Sequence, residues 1–305
     1  MTTGVTFQTN TTGGILHRPP PRPLTLQQFA DHLTQIYCQS HSPQFAHRIY
    51  LKKCIGIGGM ATVFLAELRN RSGKNALLAV KITCGELILH LRREARVTMR
   101  LETEELSHCI QWRGHDYGPR VDGRPTYFAI FKYINGETLP ARLSRGRISL
   151  FWTLHIIGQI AEALSAESIV HRDIKPSNIM LLDNFAILID FGISHPSNAL
   201  GTPAYASPEQ LREEATDEKT DVYSLGCVLW EMLSGQKVYR NAASDGPAAF
   251  LEAKKAGGLA RIPDLPLDIN ILIGWMTEFD AAKRPTLAEV MQSIDRICRD
   301  YNICR

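Results

Sequence analysis

The sequence predicts an α+β fold in two lobes: a small five-stranded, β-rich lobe with one helix, then a larger α-helical lobe. Three observations lead there. Between Arg48 and Tyr133, short runs rich in β-branched and aromatic residues alternate with Gly, Asn and Ser turns. One helix-length stretch interrupts those runs. Beyond residue 137, apolar residues recur at helical spacing in one stretch after another.

The elements follow in order. Residues 1–23 carry Thr, Gly and Asn and then Pro19-Pro20-Pro21-Arg22-Pro23, whose locked φ angles favour an extended, disordered segment. Such a run serves as a linker or as an SH3-type ligand. Residues 24–47 form a helical extension: Thr25 and Gln28 make a capping-box pattern, and Leu26, Phe29, Leu33, Ile36 and Tyr37 form an apolar stripe. Strands are expected at Ile49–Ile57, Thr62–Leu68, Leu77–Thr83, Gln111–Tyr117 and Thr126–Tyr133, with a helix over Glu86–Leu101. The helices of the second lobe are expected at Leu150–Ser165, Thr220–Leu233, Pro247–Ala256, Ile269–Phe279 and Leu287–Arg299. The main domain thus spans 48–300, its small lobe 48–131 and its large lobe 135–300.

Composition narrows the function. A 44% apolar and 21% charged chain of 305 residues is that of an ordinary globular protein. A net charge of +3 lacks the basic field of a nucleic-acid binder. No apolar run approaches the ~18 residues of a membrane span. The amino terminus has no basic stretch followed by an apolar one, so no secretory signal is read there. Seven scattered cysteines without a C-x-x-C pair indicate reduced thiols and a cytoplasmic location.

Three constellations carry chemistry. Gly56-Ile57-Gly58-Gly59-Met60-Ala61-Thr62-Val63 joins two strands, and its glycines let backbone N–H groups approach a polyphosphate. A plain turn would look much the same. Ala79-Val80-Lys81 puts a lysine in an apolar strand, where burial demands an anion, and Glu94 on the next helix is one candidate. An edge lysine facing water is the alternative. The third constellation is the densest. Val170-His171-Arg172-Asp173-Ile174-Lys175-Pro176-Ser177-Asn178 packs into one loop more polar groups than packing alone accounts for. Twelve residues past Asn178, an apolar strand ends at Asp190-Phe191-Gly192, so Asn178 and Asp190 can offer oxygens to a divalent cation.

In this order and spacing, the motifs resemble the eukaryotic-type (Hanks-type) protein kinase family, and most resemble its bacterial or phage-borne members. Gly201-Thr202-Pro203-Ala204-Tyr205-Ala206-Ser207-Pro208-Glu209 resembles the end of an activation segment. Asp221-Val222-Tyr223-Ser224-Leu225-Gly226 resembles the start of the central large-lobe helix. Arg284 is similar to the arginine that pairs with the segment-end glutamate, here Glu209.

The resemblance implies the bilobal protein kinase fold and a serine/threonine protein kinase that uses ATP and Mg2+. Ile55, Gly56, Ile57, Gly58, Gly59, Met60, Ala61, Val63 and Ala79 would surround the nucleotide. Lys81, held by Glu94, would meet the α- and β-phosphates. The hinge backbone of Lys132, Tyr133 and Ile134, behind Phe131, would bind adenine. Asp173 would be the catalytic base, Lys175 would neutralise the γ-phosphate, and Asn178 and Asp190 would hold the metal. Lys175 and Thr202 are what point to serine and threonine acceptors on protein substrates. Ala61 replaces the usual third glycine.

Arg172 implies that a phosphate on the activation segment switches the enzyme on, at Ser194 or Ser197, with Thr202 the remaining threonine there. A segment this short can also act unmodified. Two other readings stand beside the enzyme: a pseudokinase binding module, which would be expected to have lost Lys81, Asp173, Asn178 or Asp190, and a small-molecule phosphotransferase, which would lack Thr202–Glu209 and Arg284. The physiological substrate and the oligomeric state are not legible.

Overall fold

The computed structural model describes residues 49–303, apart from 59–60, 70–74, 103–107, 122, 166–169, 192–202 and 243–245. The expected segments 1–23 and 24–47, together with Gly59, Met60, Ser194, Ser197 and Thr202, lie outside the described residues.

The first lobe is one antiparallel sheet in the order β1-β2-β3-β5-β4. Its strands are β1 Ile49–Ile57, β2 Thr62–Leu68, β3 Ala76–Cys84, β4 Trp112–Val121 and β5 Arg124–Lys132. The single helix, α1, spans Ile88–Glu102. It starts two residues later than the periodicity predicts, because Gly85 sits at φ 64° and residues 85–87 form a 3-10 turn first. β4 also runs past Tyr117 to Val121, since it closes a hairpin with Arg124.

Period-two alternation divides the sheet's faces. Phe64, Val80, Ile82 and Ile130 build one apolar layer, while Ala129, Phe131 and the half-buried Ala79 pack toward Ile88, Leu91 and Ala95 of α1. Lys81, two residues from Ala79, shares the face that meets the helix.

The second lobe opens with β6 Glu137–Thr138, which pairs with β7 Ile179–Leu182 and through it with β8 Phe185–Leu188. Its helices are α2 Leu139–Leu143, α3 Leu150–Ser165, α4 Pro208–Leu211, α5 Glu218–Ser234, α6 Gly246–Lys255, α7 Leu267–Met276 and α8 Leu287–Asp300. Every residue of α5 from Thr220 to Leu233 is buried, so this helix is the axis of the lobe and other elements are placed relative to it. Asp217 caps its start by accepting from the Lys219 amide, and Gly235 ends it at φ 68°. The two lobes are stitched where Ile110 N–H donates to the Leu188 carbonyl at 3.0 Å and Leu188 N–H donates to the His108 carbonyl at 2.8 Å.

Gly136 sits at the crossing from one lobe to the other. A Cβ there would lie 2.1 Å from the Leu181 carbonyl oxygen, a backbone atom with no freedom to yield. Gly136→Ala is therefore expected to cost about 1–3 kcal/mol as β6 is pushed off β7. Thermal denaturation checks it at about 2–4 °C per kcal/mol for a domain of this size.

Cys54, Cys84, Cys109 and Cys227 are in no disulfide, as expected. Cys298 is disulfide-bonded, against the expectation of reduced thiols throughout. Pairing requires only that two Cα atoms come within ~7 Å, which linear spacing without a motif does not disclose.

Candidate active site

The Lys81 amine donates to Glu94 Oε2 at 2.7 Å and to Asp190 Oδ1 at 2.6 Å. Strand β3 aims the lysine inward, α1 supplies the glutamate, and the end of β8 supplies the aspartate. Glu94 is therefore the partner of Lys81, and the edge-lysine alternative is excluded by a side chain only 14% exposed. Burial opposes the ammonium charge, but Glu94 and Asp190 together raise the Lys81 pKa above its ordinary value. Burial likewise works against Asp190, and Lys81 overrides it to hold that carboxyl low. Asp190 adopts φ 64°, a left-handed conformation rare for a residue with a Cβ.

Burial pushes the Glu94 carboxyl up to about 7; Lys81 pulls it down and Asp190 adds to the rise. The folded value lies above the ordinary 4.5, so folding takes up a proton. Stabilisation from this group is complete below 4.5 and lost as pH rises through about 7. Melting temperatures measured across that window should fall with rising pH in the wild type and less so in Glu94→Gln, which cannot titrate there.

The loop from His171 to Asn178 is organised around Asp173. Lys175 Nζ donates to Asp173 Oδ2 at 2.8 Å, and the Asn178 amide donates to the same oxygen at 3.0 Å and to the Asp173 carbonyl at 2.8 Å. Among the described residues nothing donates to Asp173 Oδ1, which is left as an acceptor. Asn178 has spent its amide hydrogens on Asp173, so its carbonyl oxygen is the atom it can offer a cation.

Beneath the loop lies a residue to which sequence reasoning gave no role. Asp221, buried in α5, accepts from the His171 backbone amide at 2.6 Å and from the Arg172 amide at 2.8 Å. Those two bonds hold Arg172 at φ 64° immediately before Asp173. Burial pushes Asp221 up to about 7, against the lowering by the two backbone donors. The His171 ring packs 4.8 Å from Phe191. Burial also holds its imidazole below the ordinary range and therefore neutral. An acidic residue inside a helix that is buried all round was the available signal for Asp221.

The expected nucleotide residues that the structure describes lie on β1, β2, β3 and the stretch after β5. Gly58 N–H donates to the Ala61 carbonyl at 2.9 Å and closes the turn between β1 and β2. Val63 stands in register with both Gly56 and Lys81, and Ala79 with Phe131. Ile55 and Ile57 remain largely exposed. At the hinge, the Lys132 and Tyr133 amides are already committed, to the Gln111 carbonyl at 2.9 Å and the Leu77 carbonyl at 3.2 Å. Of the three expected amides, Ile134 is thus the one left to donate to a base.

The segment end is anchored at successive points. Arg284 and Glu209 form a two-pronged pair at 2.7 and 2.8 Å, with the arginine side chain fully buried. Thr220 adds a third bond to Glu209 at 2.9 Å. Ser207 and Gln210 make a reciprocal capping box, and the Gln210 side chain also donates to the Arg172 carbonyl at 2.8 Å, tying the segment to the loop that carries Asp173. The Ser207/Gln210 spacing was the legible signal for that tie.

The protein-family model for the protein kinase domain matches residues 49–294. The chain is 35% identical over 211 residues to serine/threonine-protein kinase PknH of Mycobacterium tuberculosis (strain ATCC 25618 / H37Rv), covering 63% of this chain and 32% of PknH. It is 33% identical over 264 residues to serine/threonine-protein kinase PknA of M. tuberculosis (strain ATCC 25177 / H37Ra), covering 79% of this chain and 58% of PknA. With the probable serine/threonine-protein kinase CPE1738 of Clostridium perfringens (strain 13 / Type A), identity is 28% over 279 residues, 84% of this chain and 39% of that protein. The chain thus spans about a third to three fifths of these curated relatives.

Proposed function

The chain belongs to the protein kinase family, and on that premise we propose that it transfers the γ-phosphate of ATP to serine and threonine hydroxyls of proteins. One observation carries the reading. Lys81 and Asp190, 109 positions apart, are joined by a 2.6 Å bond, and Asn178, near Asp190 in the second lobe, holds Asp173. One lysine, two oxygen donors for a cation and one carboxylate whose Oδ1 has no donor among the described residues are the parts that phosphoryl transfer needs.

In this reading, the backbone of Gly56–Ala61 covers the phosphates and Lys81, steadied by Glu94, meets the α- and β-phosphates. Ile55, Val63 and Ala79 form an apolar wall for the base, with Ile134 N–H as its donor. Asp190 and the side-chain Oδ1 of Asn178 are hard oxygen ligands suited to Mg2+, which typically takes one or two protein carboxylates or carbonyls and leaves its other positions to water and phosphate. When bound there, the metal would neutralise charge on the phosphates. Asp173 Oδ1 accepts the acceptor's hydroxyl proton, while Lys175 and Asn178 fix the carboxylate through Oδ2. Lys175 then stands beside the charge that develops on the transferred group.

Cys54, Cys84, Cys109 and Cys227, none of them in a disulfide, support a cytoplasmic location, and the bonded Cys298 argues against it. No described helix is long and apolar enough to cross a membrane.

A labelled-ATP competition separates protein kinase from small-molecule phosphotransferase. With casein and an aminoglycoside offered together, label is expected on casein, and label on the aminoglycoside would overturn the assignment. Chelating divalent cations is expected to abolish transfer, and a single addition of Mg2+ to restore it.

A further inference from the structure

We propose that Lys254, on α6, is a positioning residue for the protein acceptor: its amine fixes the carbonyl of Ala204 and so sets the wall against which the acceptor lies. This inference rests on the protein kinase reading. Lys254 is 3% exposed, and its Nζ donates to the Ala204 carbonyl at 2.8 Å. Its charge lies 4.0 Å from the centroid of the Tyr239 ring and 5.0 Å from that of Tyr223. The two tyrosine hydroxyls bond each other at 2.8 Å and hold that cage in shape.

What singles the residue out is what it lacks. Lys254 has no carboxylate partner among the described residues, although a buried ammonium ordinarily requires one. The neighbouring Cys227 thiol is pushed up to about 11 by burial and supplies no anion at neutral pH. Burial pulls Lys254 itself down to about 8, with Cys227 opposing the fall and Arg284 adding to it. A methionine would fill the same volume without desolvating a charge. The amine's desolvation is offset by one carbonyl and two ring faces, so the carbonyl is what the lysine is there to hold.

The location gives the contact its consequence. Ala204 stands five residues before Glu209, in the stretch whose Gln210 is bonded to the residue next to Asp173. Tyr205 beside it is held by α5 through Ser224 Oγ on its carbonyl at 2.9 Å and through its own hydroxyl on Glu231. Glu209 is held by Arg284. Among these recorded anchors, the bond to Ala204 is the one made by α6, a helix on which only Phe250 and Lys254 are buried. Loss of that bond frees residues 203–206 on one side and leaves the nucleotide site and Asp173 untouched.

The test compares the wild-type chain with Lys254→Met, and with Lys254→Arg as the variant that keeps a charged donor. For Lys254→Met, the KM for a casein acceptor is expected to rise about tenfold or more, the scale of one charged hydrogen bond. The KM for ATP and the acceptor-free ATP hydrolysis should hold, and Lys254→Arg should recover part of the loss. Amide hydrogen exchange should quicken at 203–207 but not at 171–178. A casein KM and exchange at 203–207 both unchanged would overturn the proposal. So would a casein KM and an ATP KM that rise together with exchange quickened throughout the second lobe. Absence of transfer by the wild type would sink the kinase reading itself, while the exchange comparison would still decide whether Lys254 positions residues 203–207.

Discussion

Asp173→Asn is expected to lower phosphoryl transfer by about 10²–10⁴-fold, the range for removal of a positioned general base, while leaving nucleotide binding in place. The asparagine keeps the size and planarity of the carboxylate. It can still accept from Lys175 and Asn178, the two donors that hold Asp173 at 2.8 and 3.0 Å. What it loses is the capacity of the free oxygen to take the acceptor's proton. Lys81, Glu94 and Asp190 are untouched by the change, so the ATP-dependent rise in melting temperature should match that of the wild type. Transfer rates and thermal shifts measured on the same preparations check both halves. A variant retaining more than a few per cent of the rate would show that the proton leaves by another route.

The second large effect concerns stability. Removing either partner of the Glu209–Arg284 pair should cost about 3–5 kcal/mol, because it strands the other charge in the interior. Arg284 loses the most: it also donates to the carbonyls of Glu278 at 2.7 Å, Phe279 at 3.2 Å and Lys219 at 2.9 Å, and it lies 4.9 Å from the Tyr223 ring. Arg284→Met removes all of these donors at once and leaves the buried Glu209 without its cation, with the Thr220 hydroxyl still bonded to it. Replacing both partners by apolar residues should recover part of the loss, as a double-mutant cycle under urea denaturation would show.

The pair carries a pH signature too. Burial opposes ionisation of Glu209, but the Arg284 hydrogen bonds and charge prevail and hold its pKa below the ordinary 4.5. The stabilisation is therefore present above pH 4.5 and lost as pH falls through the depressed value. Glu209→Gln should flatten that acid limb.

Both effects were legible in the sequence, for different reasons. The loop of Asp173 and Asn178 holds more polar groups than packing alone accounts for, so partners were expected there, whereas the pairing of Glu209 with Arg284 came from the resemblance to the kinase family. The five strands were legible because β-branched runs alternate with turn residues. Lys81 in its apolar strand needed an anion, and Glu94 provided it from the next helix.

Other features left no local trace. β6 is two residues long, too short for any period, and Gly136 acquires its constraint from Leu181, 45 positions away. The commitments of the Lys132 and Tyr133 amides depend on which strands lie alongside the hinge, a tertiary fact. Lys254 lies near the end of its helix, a common and favourable place for a cation, so its residue type there signals nothing. Only the packing of α6 against the Ala204 stretch gives it a partner. Asp221 was visible as part of a motif, but its task, accepting two backbone amides from a loop 49 and 50 positions earlier, required the fold.

The most direct test of the central claim is phosphoamino-acid analysis of a generic protein acceptor after incubation with the wild-type chain, γ-labelled ATP and Mg2+. Protein kinase activity requires label on serine and threonine of the acceptor, absent from the Asp173→Asn reaction. Nucleotide binding by a folded wild-type protein without any label on acceptor would contradict it, and would make the chain a binding module in the shape of a kinase.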